Sequence, residues 1–193
     1  MYEILKQNLH RTVGYEIPEA ELDAFCEMFF PKKVERKSLL TDIGQVCKYL
    51  YFINQGSAYM YYLNEKGEKT AIQFGIESYW VTDLYSFLTG KPGLYTVEVL
   101  EDCELLMFNH NHYEKALDTI PFVDRYFRIL TQNAYVAQQY RLAKTNSESA
   151  EHRYQEFVEL FPHFVQRIPQ YLIASYLGIK PQSLSRIRRN IVS

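Results

Sequence analysis

The spacing of apolar residues changes twice along this sequence, and this change constrains the fold more than any other feature. Over residues 17–30 apolar side chains recur every three or four positions, as on one face of a helix. From about residue 34 to residue 108 they alternate with polar ones in short runs, which is typical of β-strands. After residue 111 the helical spacing returns. The sequence therefore predicts an α+β chain in which a β-domain is flanked by helices.

The β-rich part contains several short strands separated by turn residues. Runs 49–53 and 58–63 are divided by Asn-Gln-Gly, and a hairpin loop at 64–68 follows the second run. Runs 96–100 and 104–108 predict another strand pair across Glu101 and Asp102. Aromatic residues make up 16% of the chain, which suits β-structure. Strands at this regular spacing predict a sandwich or a jelly roll.

A long helix is predicted to follow the strands. It begins at Pro121 and extends to about Lys144, which corresponds to roughly 36 Å. A helix of this length extends beyond a small sheet, and small residues on it would let a second helix approach. We therefore predict a symmetric dimer helix, with an intramolecular helix packed on the sheet as the alternative. The polar residues 145–149 predict a break before the last domain. The expected dimer contacts are Phe127, Leu130, Ala134 and Ala137.

Charge is distributed unevenly along the chain. Residues 164–193 contain five of the 21 basic residues and none of the 23 acidic ones, so the remainder is acidic. A basic C-terminal segment of this kind favours a polyanionic partner, and the alternative is a solvated helix end.

The strongest motif lies in this basic segment. Ala174 is small enough for two helices to cross closely, and Gly178, four residues later, permits a left-handed turn. Ile179 would then fill the core between the helices, and Pro181 suits the first position of the second helix. Lys180 departs from the usual pattern, because the N-cap position favours Ser, Thr, Asp or Asn. These offsets predict a helix-turn-helix that binds double-stranded DNA.

The second helix of this motif carries the candidate DNA-binding residues. Its inward face is formed by Leu184 and Ile187, opposite Ile173 and Leu177 of the first helix. Gln and Arg side chains can pair with adenine and guanine in the major groove, so Gln182 and Arg186 are expected to contact bases. The residues expected to hold phosphates are Lys180, Ser183, Arg188 and Arg189.

The order of these parts resembles the CRP/FNR family of transcription regulators. Residues 169–189 are especially similar to the C-terminal motif IASYLGI-xP-xx-LSRIR of Bacteroidetes-type members. The resemblance implies a double-stranded β-helix (jelly-roll) domain like the cyclic nucleotide-binding one, a homodimer, a palindromic promoter site and contact with RNA polymerase. The implied domains are 1–120 for the β-roll with its N-terminal helix, 121–145 for the dimerisation helix and 146–193 for the helix-turn-helix.

The sequence departs from this family at the nucleotide phosphate. Members that bind cyclic AMP carry a cassette resembling F-x-G-E-L and, several residues later, Arg-Ser/Thr-Ala. Here Asp83 is at the Glu position, and Lys91 is the only cation in residues 80–96. Lys does not reproduce the bidentate clamp of Arg on phosphate. We therefore expect that this domain does not bind cyclic AMP in the usual way. Its pocket could bind another small molecule or could be filled by its own aromatic side chains, and the sequence leaves both alternatives open. The candidate pocket residues are Tyr79, Trp80, Thr82, Asp83, Tyr85 and Ser86.

Two further features of the sequence, its last residues and a histidine pair, bear on other possible functions. The four residues after Arg189 are too few for the two-stranded wing that usually follows the family's recognition helix, so the chain is expected to lack one. This favours, as the alternative function, a ligand-sensing or protein-interaction module that no longer regulates promoters. His110 and His112 form an H-x-H pair, but no third ligand has suitable spacing, so no metal, catalytic residue or enzyme activity is expected.

The expected compartment is the cytoplasm. The sequence has no apolar run of about 18 residues and begins without a secretory signal pattern, so no membrane association is expected. Its three cysteines are widely spaced, which predicts buried, reduced thiols.

Overall fold

The computed structural model describes residues 1–192, so Ser193, the last residue of the predicted C-terminal domain, lies outside it. Two helices come first, α1 (Glu3–Val13) and α2 (Glu19–Cys26). The strands of this range are β1 (Phe30–Val34), β2 (Leu39–Thr41), β3 (Tyr49–Gln55), β4 (Ala58–Leu63), β5 (Lys69–Gly75), β6 (Trp80–Val81), β7 (Thr96–Val99) and β8 (Cys103–Asn109), with α3 (Leu84–Thr89) between β6 and β7. The helices that follow are α4 (His110–Thr119), α5 (Pro121–Ser147), α6 (Ala150–Leu160), α7 (Pro162–Arg167), α8 (Gln170–Tyr176) and α9 (Pro181–Val192).

Within residues 1–192 the strands form two antiparallel four-stranded sheets of a β-roll. The first sheet has the order β1-β8-β3-β6 and the second has the order β2-β7-β4-β5. The predicted hairpin at 64–68 is present, because β4 and β5 pair through Tyr62–Thr70 and Leu63–Lys69. In that loop the Asn64 side chain accepts hydrogen bonds from the backbone of Lys66 and Glu68.

The predicted pairing of runs 96–100 and 104–108 is wrong. β7 pairs with β2 and β4, whereas β8 pairs with β1 and β3, so the two runs belong to different sheets. The short turns β3–β4 and β7–β8 therefore cross from sheet to sheet. At the first crossing Gly56 has a φ of +106°, and a Cβ there would lie 2.4 Å from the Cys103 Sγ. The tight crossing requires glycine for both reasons.

The core of the β-roll lies between the two sheets and the N-terminal helices. Phe25 of α2 contacts Phe108 and Phe122 edge to face, with ring centroids 5.3 and 5.5 Å apart. Helix α1, which the sequence analysis did not predict, buries Leu5 and Leu9 in the same core. The helix predicted over residues 17–30 ends at Cys26, because Phe30 already pairs with Met107 in β1.

Helix α5 is longer than predicted and is buried only in its first part. It spans 27 residues, about 40 Å, and its side chains are exposed throughout residues 131–140. The break expected at 145–149 is limited to Glu148 and Ser149. The Thr145 and Ser147 hydroxyls donate to the carbonyls of Arg141 and Ala143, so these polar side chains are accommodated within the last turns of α5.

Two of the four predicted dimer residues belong to the core instead. Phe127 is buried and stacks on Phe108 with centroids 6.1 Å apart, and Leu130 packs against the same core. Ala134 and Ala137 are exposed, as are the larger apolar residues Tyr135, Val136 and Leu142. Phe127 lies in the second turn of α5, where the helix still packs on the β-roll, so its side chain is not available for a dimer contact.

The C-terminal helices (α6–α9) form a second core on the outer face of the second sheet. Tyr59, Tyr61, Ala71 and Phe74 of β4 and β5 are buried there against residues of all four helices. Their partners include Phe157, Phe164, Leu172, Ile173, Leu177, Ile179 and Leu184.

Cys26, Cys47 and Cys103 are buried and free. Burial raises the pKa of the Cys26 and Cys103 thiols to about 11. Among the helices of residues 1–192, none has both the length and the apolar character needed to cross a membrane.

Candidate functional site

Helices α8 and α9 are joined by a tight turn at Gly178. This residue has a φ of +65°, the left-handed conformation that the sequence predicts. The Ile179 N–H reaches back to the Ala174 carbonyl at 2.8 Å, which closes the end of α8. A Cβ at Gly178 would meet only Thr145 Cγ2, at 3.9 Å. Glycine is therefore needed here for its conformation and not for space.

Helix α9 begins at Pro181 without a side-chain oxygen at the preceding position. The Lys180 carbonyl accepts the N–H groups of Ser183 and Leu184 at 2.9 and 3.0 Å. The Lys180 side chain remains exposed. Lys180 directly precedes the N-terminus of α9, where an anion is electrostatically favoured.

The two faces of α9 differ in burial as the sequence predicts. Ala174 of α8 and Leu184 of α9 are buried where the helices meet, and Ile187 is half-buried. The opposite face is polar, and residues 164–190 contain no acidic side chain. On it Gln182 and Arg186 are exposed and lie one turn apart, at i and i+4. Arg188 and Arg189 are also exposed, and Ser183 is half-buried.

One of the five basic residues in this segment has another role. Arg167, at the end of α7, donates to both Glu77 and Glu101 of the β-roll. Hydrogen bonding to Glu77 raises the pKa of Arg167, so the ion pairs stabilise the charged form of this guanidinium. The charge count alone gave no sign of this, because the two partners lie 90 and 66 residues away.

Two further arginines hold the end of α8. Arg141 of α5 donates to the Tyr176 carbonyl at 3.4 Å, and its guanidinium lies 4.6 Å from the centre of the Tyr176 ring. Arg153 of α6 donates to the Leu177 carbonyl at 3.1 Å. Guanidinium groups are favourable at a helix C-terminus, where carbonyls are unpaired. Arg141 thus positions α8 against α5 and Arg153 positions it against α6, and the sequence offered no local signal for either.

Asp83, expected in an effector pocket, is fully buried and bonded to the backbone. Its Oδ1 accepts the Ser86 N–H at 3.0 Å, which caps α3. Its Oδ2 accepts the N–H groups of Leu94 and Tyr95 at 2.7 and 3.0 Å. A Cβ at Gly93 would lie 2.9 Å from the same Oδ2. The carboxylate of Asp83 therefore accepts the backbone N–H groups that could otherwise bind a ligand. The backbone packs closely against it, so a ligand group does not fit beside it.

Ser86 and Thr82 are also held by intramolecular hydrogen bonds. The Ser86 hydroxyl donates to the Lys91 carbonyl at 2.6 Å and accepts the Cys47 N–H at 2.8 Å. The Thr82 hydroxyl donates to the Tyr49 carbonyl at 3.0 Å. Their polar atoms stabilise the α3 segment and are not directed at a common cavity.

The three aromatic pocket candidates point in different directions. Trp80 packs on Phe52 in the core and donates through its indole N–H to the Tyr126 hydroxyl at 2.7 Å. Tyr79 lies against Phe164 of the C-terminal helices, with centroids 5.4 Å apart. Tyr85 is exposed on α3. The six candidates therefore do not line one pocket, which corrects the sequence prediction.

An open groove beside α3 is lined by other residues. It has a volume of about 620 Å³ and is bounded by residues 46–49, 87–90 and 109–111. His110 lines this groove and lies against Phe87 with the two rings tilted, their centroids 5.3 Å apart, whereas His112 donates from Nδ1 to the Met28 carbonyl. Within residues 1–192 no cluster of three metal-ligating side chains occurs.

Known proteins share this fold. Residues 31–119 match the family model of the cyclic nucleotide-binding domain. No curated protein matches the sequence. The catabolite activator protein of Thermus thermophilus superposes with a TM-score of 0.62 at 15% identity, covering 94% of this chain and 86% of its own.

Two further solved structures extend this similarity. FixK2 from Bradyrhizobium japonicum has a TM-score of 0.70 at 14% identity, over 84% of each chain. The c-di-GMP-responsive global regulator CLP of Xanthomonas campestris has a TM-score of 0.69 at 10% identity, over 90% of this chain and 91% of its own. The β-roll thus matches the cyclic nucleotide-binding domain, and nearly the whole chain has the fold of these regulators.

Proposed function

We infer that this chain is a homodimeric DNA-binding transcription regulator of the CRP/FNR type, acting in the cytoplasm on a palindromic promoter site. The observation that carries this proposal is the exposed basic surface of α9, next to a tightly turned helix pair, in a stretch of sequence (residues 164–190) that contains no acidic residue. Gln182 and Arg186 would contact base edges, and Lys180, Ser183, Arg188 and Arg189 would contact phosphates. RNA polymerase is a partner implied by the family resemblance.

The exposed part of α5 supports the dimer in this proposal. Residues 131–140 of this helix are exposed and include Tyr135 and Val136, so a second copy could cover them. Two-fold symmetry would place two copies of α9 in successive major grooves. In this proposal the chain divides into a β-roll at 1–120, a dimer helix at 121–145 and a DNA-binding part at 146–193.

The effector is proposed not to be cyclic AMP bound in the usual way. Asp83 already accepts three backbone N–H groups beside α3, and no arginine lies in residues 80–96 to neutralise a phosphate. A second anion at this place would face a buried carboxylate at short range, which is unfavourable. Any small-molecule signal would have to favour one dimer geometry over another.

Selection of bound duplexes from random DNA tests this function. We expect a two-fold symmetric site to be enriched without ligand, and the same site when cyclic AMP is added. Binding to that site should weaken steeply as salt rises, because phosphate contacts release counterions. Enrichment that requires cyclic AMP would contradict the proposed role of Asp83. No enrichment under either condition would favour the ligand-sensing or protein-interaction module.

A further inference from the structure

Three turns at one end of the β-roll meet around a single guanidinium of the C-terminal helices. The two NH groups of Arg167 donate to Glu77, which lies between β5 and β6, and one of them also donates to Glu101, between β7 and β8. Glu77 in addition accepts the N–H of Gly56, in the β3–β4 turn, at 2.8 Å. Arg167 thus ties α7 to the end of the roll by a bidentate and branched contact.

A second polar contact lies on the edge strand of the second sheet. The Ser175 hydroxyl of α8 accepts the Ala71 N–H at 3.0 Å and donates to the Lys69 carbonyl at 3.1 Å. β5 is the outer strand, so these backbone groups have no neighbouring strand to pair with. The Ala71 amide is therefore covered only while α8 stays on the β-roll.

Between these polar contacts the surfaces meet through aromatic rings. Phe74 of β5 contacts Phe164 and Tyr176, with centroids 5.9 and 5.1 Å apart. Such contacts tolerate some sliding, because ring packing is less directional than a bidentate ion pair. The orientation of the helices on the sheet thus depends on the charged contact as well as on the apolar one.

We propose that Glu77, Arg167 and Glu101 form an ionic latch that fixes the C-terminal helices on the β-roll, and that salt or loss of the charges opens it. The exposed fraction of the side chain is 33% for Arg167, 32% for Glu77 and 45% for Glu101, so solvent ions can reach all three. Exposed charge pairs weaken at high ionic strength, whereas the aromatic contacts do not.

The closed latch does not cover the proposed DNA-binding surface of α9. In the closed arrangement Gln182, Arg186 and Arg188 of α9 remain exposed. The consequence for DNA rests on the proposed function: a closed latch preorganises the two copies of α9 for a symmetric site, and an open latch leaves each copy able to bind a half-site.

Hydrogen exchange at the Ala71 amide tests the latch without DNA. In Arg167→Gln we expect this amide to exchange about tenfold faster than in the parent chain, while the Phe52 amide in the centre of the first sheet is unchanged. Raising sodium chloride from about 0.05 M to about 1 M should accelerate Ala71 exchange in the parent chain but not in the variant. The Ser175→Ala variant serves as a reference, because it gives the hydrogen-exchange rate of the Ala71 amide when its acceptor, the Ser175 hydroxyl, is missing.

Matched controls separate the latch from general stability. Glu104→Gln removes another charge pair of the β-roll, with Lys33 at 2.7 Å, and should leave the Ala71 rate unchanged. If Arg167→Gln also accelerates Phe52, the milder Glu101→Gln replaces it, with the same expectation at Ala71 and a smaller effect. An Ala71 rate that is independent of salt and of both variants would overturn the proposal.

Binding to DNA then distinguishes the latch from the proposed function. Arg167→Gln should weaken binding to the full symmetric site several-fold while binding to a half-site is retained. Equal affinities of variant and parent for the full site would refute the preorganising role. If the parent chain binds no DNA, the proposed function fails and the exchange result still decides the latch.

Discussion

At the scale of single residues, Asp83 shows how a buried carboxylate can be fully satisfied by backbone groups. It accepts three N–H groups from two segments, the start of α3 and the strand entry at residues 94–95. Hydrogen bonds to a charged acceptor are stronger than those to a neutral one. Asp83 therefore stabilises the position of α3 relative to β7.

Asp83→Asn should destabilise the fold by roughly 2 to 3 kcal/mol, because the amide has one acceptor oxygen and its NH₂ group would face a backbone N–H. Urea unfolding of the two chains measures this difference. Asp118→Asn on the exposed face of α4 should change the free energy of unfolding by less than about 0.5 kcal/mol. Equal effects of the two substitutions would contradict the role given to Asp83.

Some single residues could be assigned from the sequence, and others could not. Gly178 and Ala174 were predictable because the demands on them come from residues four or five positions away. The inward direction of Asp83 was not, since two of its partners lie 11 and 12 residues further on, beyond a helix. Arg167 was counted with the DNA-binding charges for the same reason, since its acidic partners are distant in sequence.

At the scale of elements, one buried hydroxyl of α5 adds a polar contact with α1 and β6 to the apolar packing of this helix on the β-roll. Tyr126 accepts the indole N–H of Trp80 and donates to the Asn8 side chain at 2.6 Å, so α1, β6 and α5 meet at one atom. Burial raises the pKa of this phenol, which therefore stays protonated. The long helix is thus anchored at its N-terminal end and exposed over residues 131–140.

Tyr126→Phe should cost about 2 kcal/mol of folding stability, because the Trp80 indole N–H loses its acceptor and the Asn8 Oδ1 retains only the longer hydrogen bond from Thr12, at 3.4 Å. Thermal unfolding provides the measurement, with Tyr135→Phe on the exposed part of the same helix as the control. A loss below about 0.5 kcal/mol for Tyr126→Phe would mean that Trp80 and Asn8 find other partners.

The two exposed arginines of α9 should have distinct effects on DNA binding. Arg186 lies on the same face as Gln182, and Arg188 lies about 200° around the helix from Arg186. Arg186→Ala should reduce discrimination between preferred and altered sites by about 1–3 kcal/mol. Arg188→Ala should weaken binding to all duplexes alike and reduce the salt dependence. Unchanged site selection in Arg186→Ala would show that another face of α9 contacts the bases.

The types of most elements were predictable from apolar spacing, but only part of the strand pairing was. Runs 58–63 and 69–75 form the expected hairpin, since their loop has the Asn and Gly residues of a turn. The runs on either side of Glu101 and Asp102 resemble a hairpin equally well, yet they enter different sheets. Short-range turn residues do not reveal which sheet a strand joins, because that depends on partners such as β1 and β2 from earlier in the chain.

At the scale of the whole molecule, the acid response of the fold should depend in part on Glu77. Burial alone would raise the pKa of this carboxyl, but hydrogen bonds from Arg167 and from the Gly56 backbone outweigh it and lower the pKa below 4.5. A group with a lowered folded pKa stabilises the native state above its unfolded pKa and loses this contribution as the pH falls through the folded value. The contribution is therefore full at neutral pH and declines below 4.5.

Glu77→Gln should reduce the free energy of unfolding at neutral pH by less than about 1 kcal/mol, since the group is partly exposed. The difference from the parent chain should narrow as the pH falls below 4.5. Urea unfolding over a series of pH values measures it. A difference that stays constant down to about pH 3 would indicate that Glu77 acts through packing and not through its charge.

The position of Ser175 on β5 also bears on how this protein behaves when it is cut or incompletely synthesised. An outer strand with open N–H and C=O groups can recruit the strands of other molecules and start aggregation. Here α8 covers that edge, and the neighbouring Tyr59, Tyr61 and Phe74 are buried by the same helices. A chain that stops before α6 would expose both the strand edge and this aromatic surface. We therefore expect a β-roll without its C-terminal helices to self-associate more readily than the whole chain.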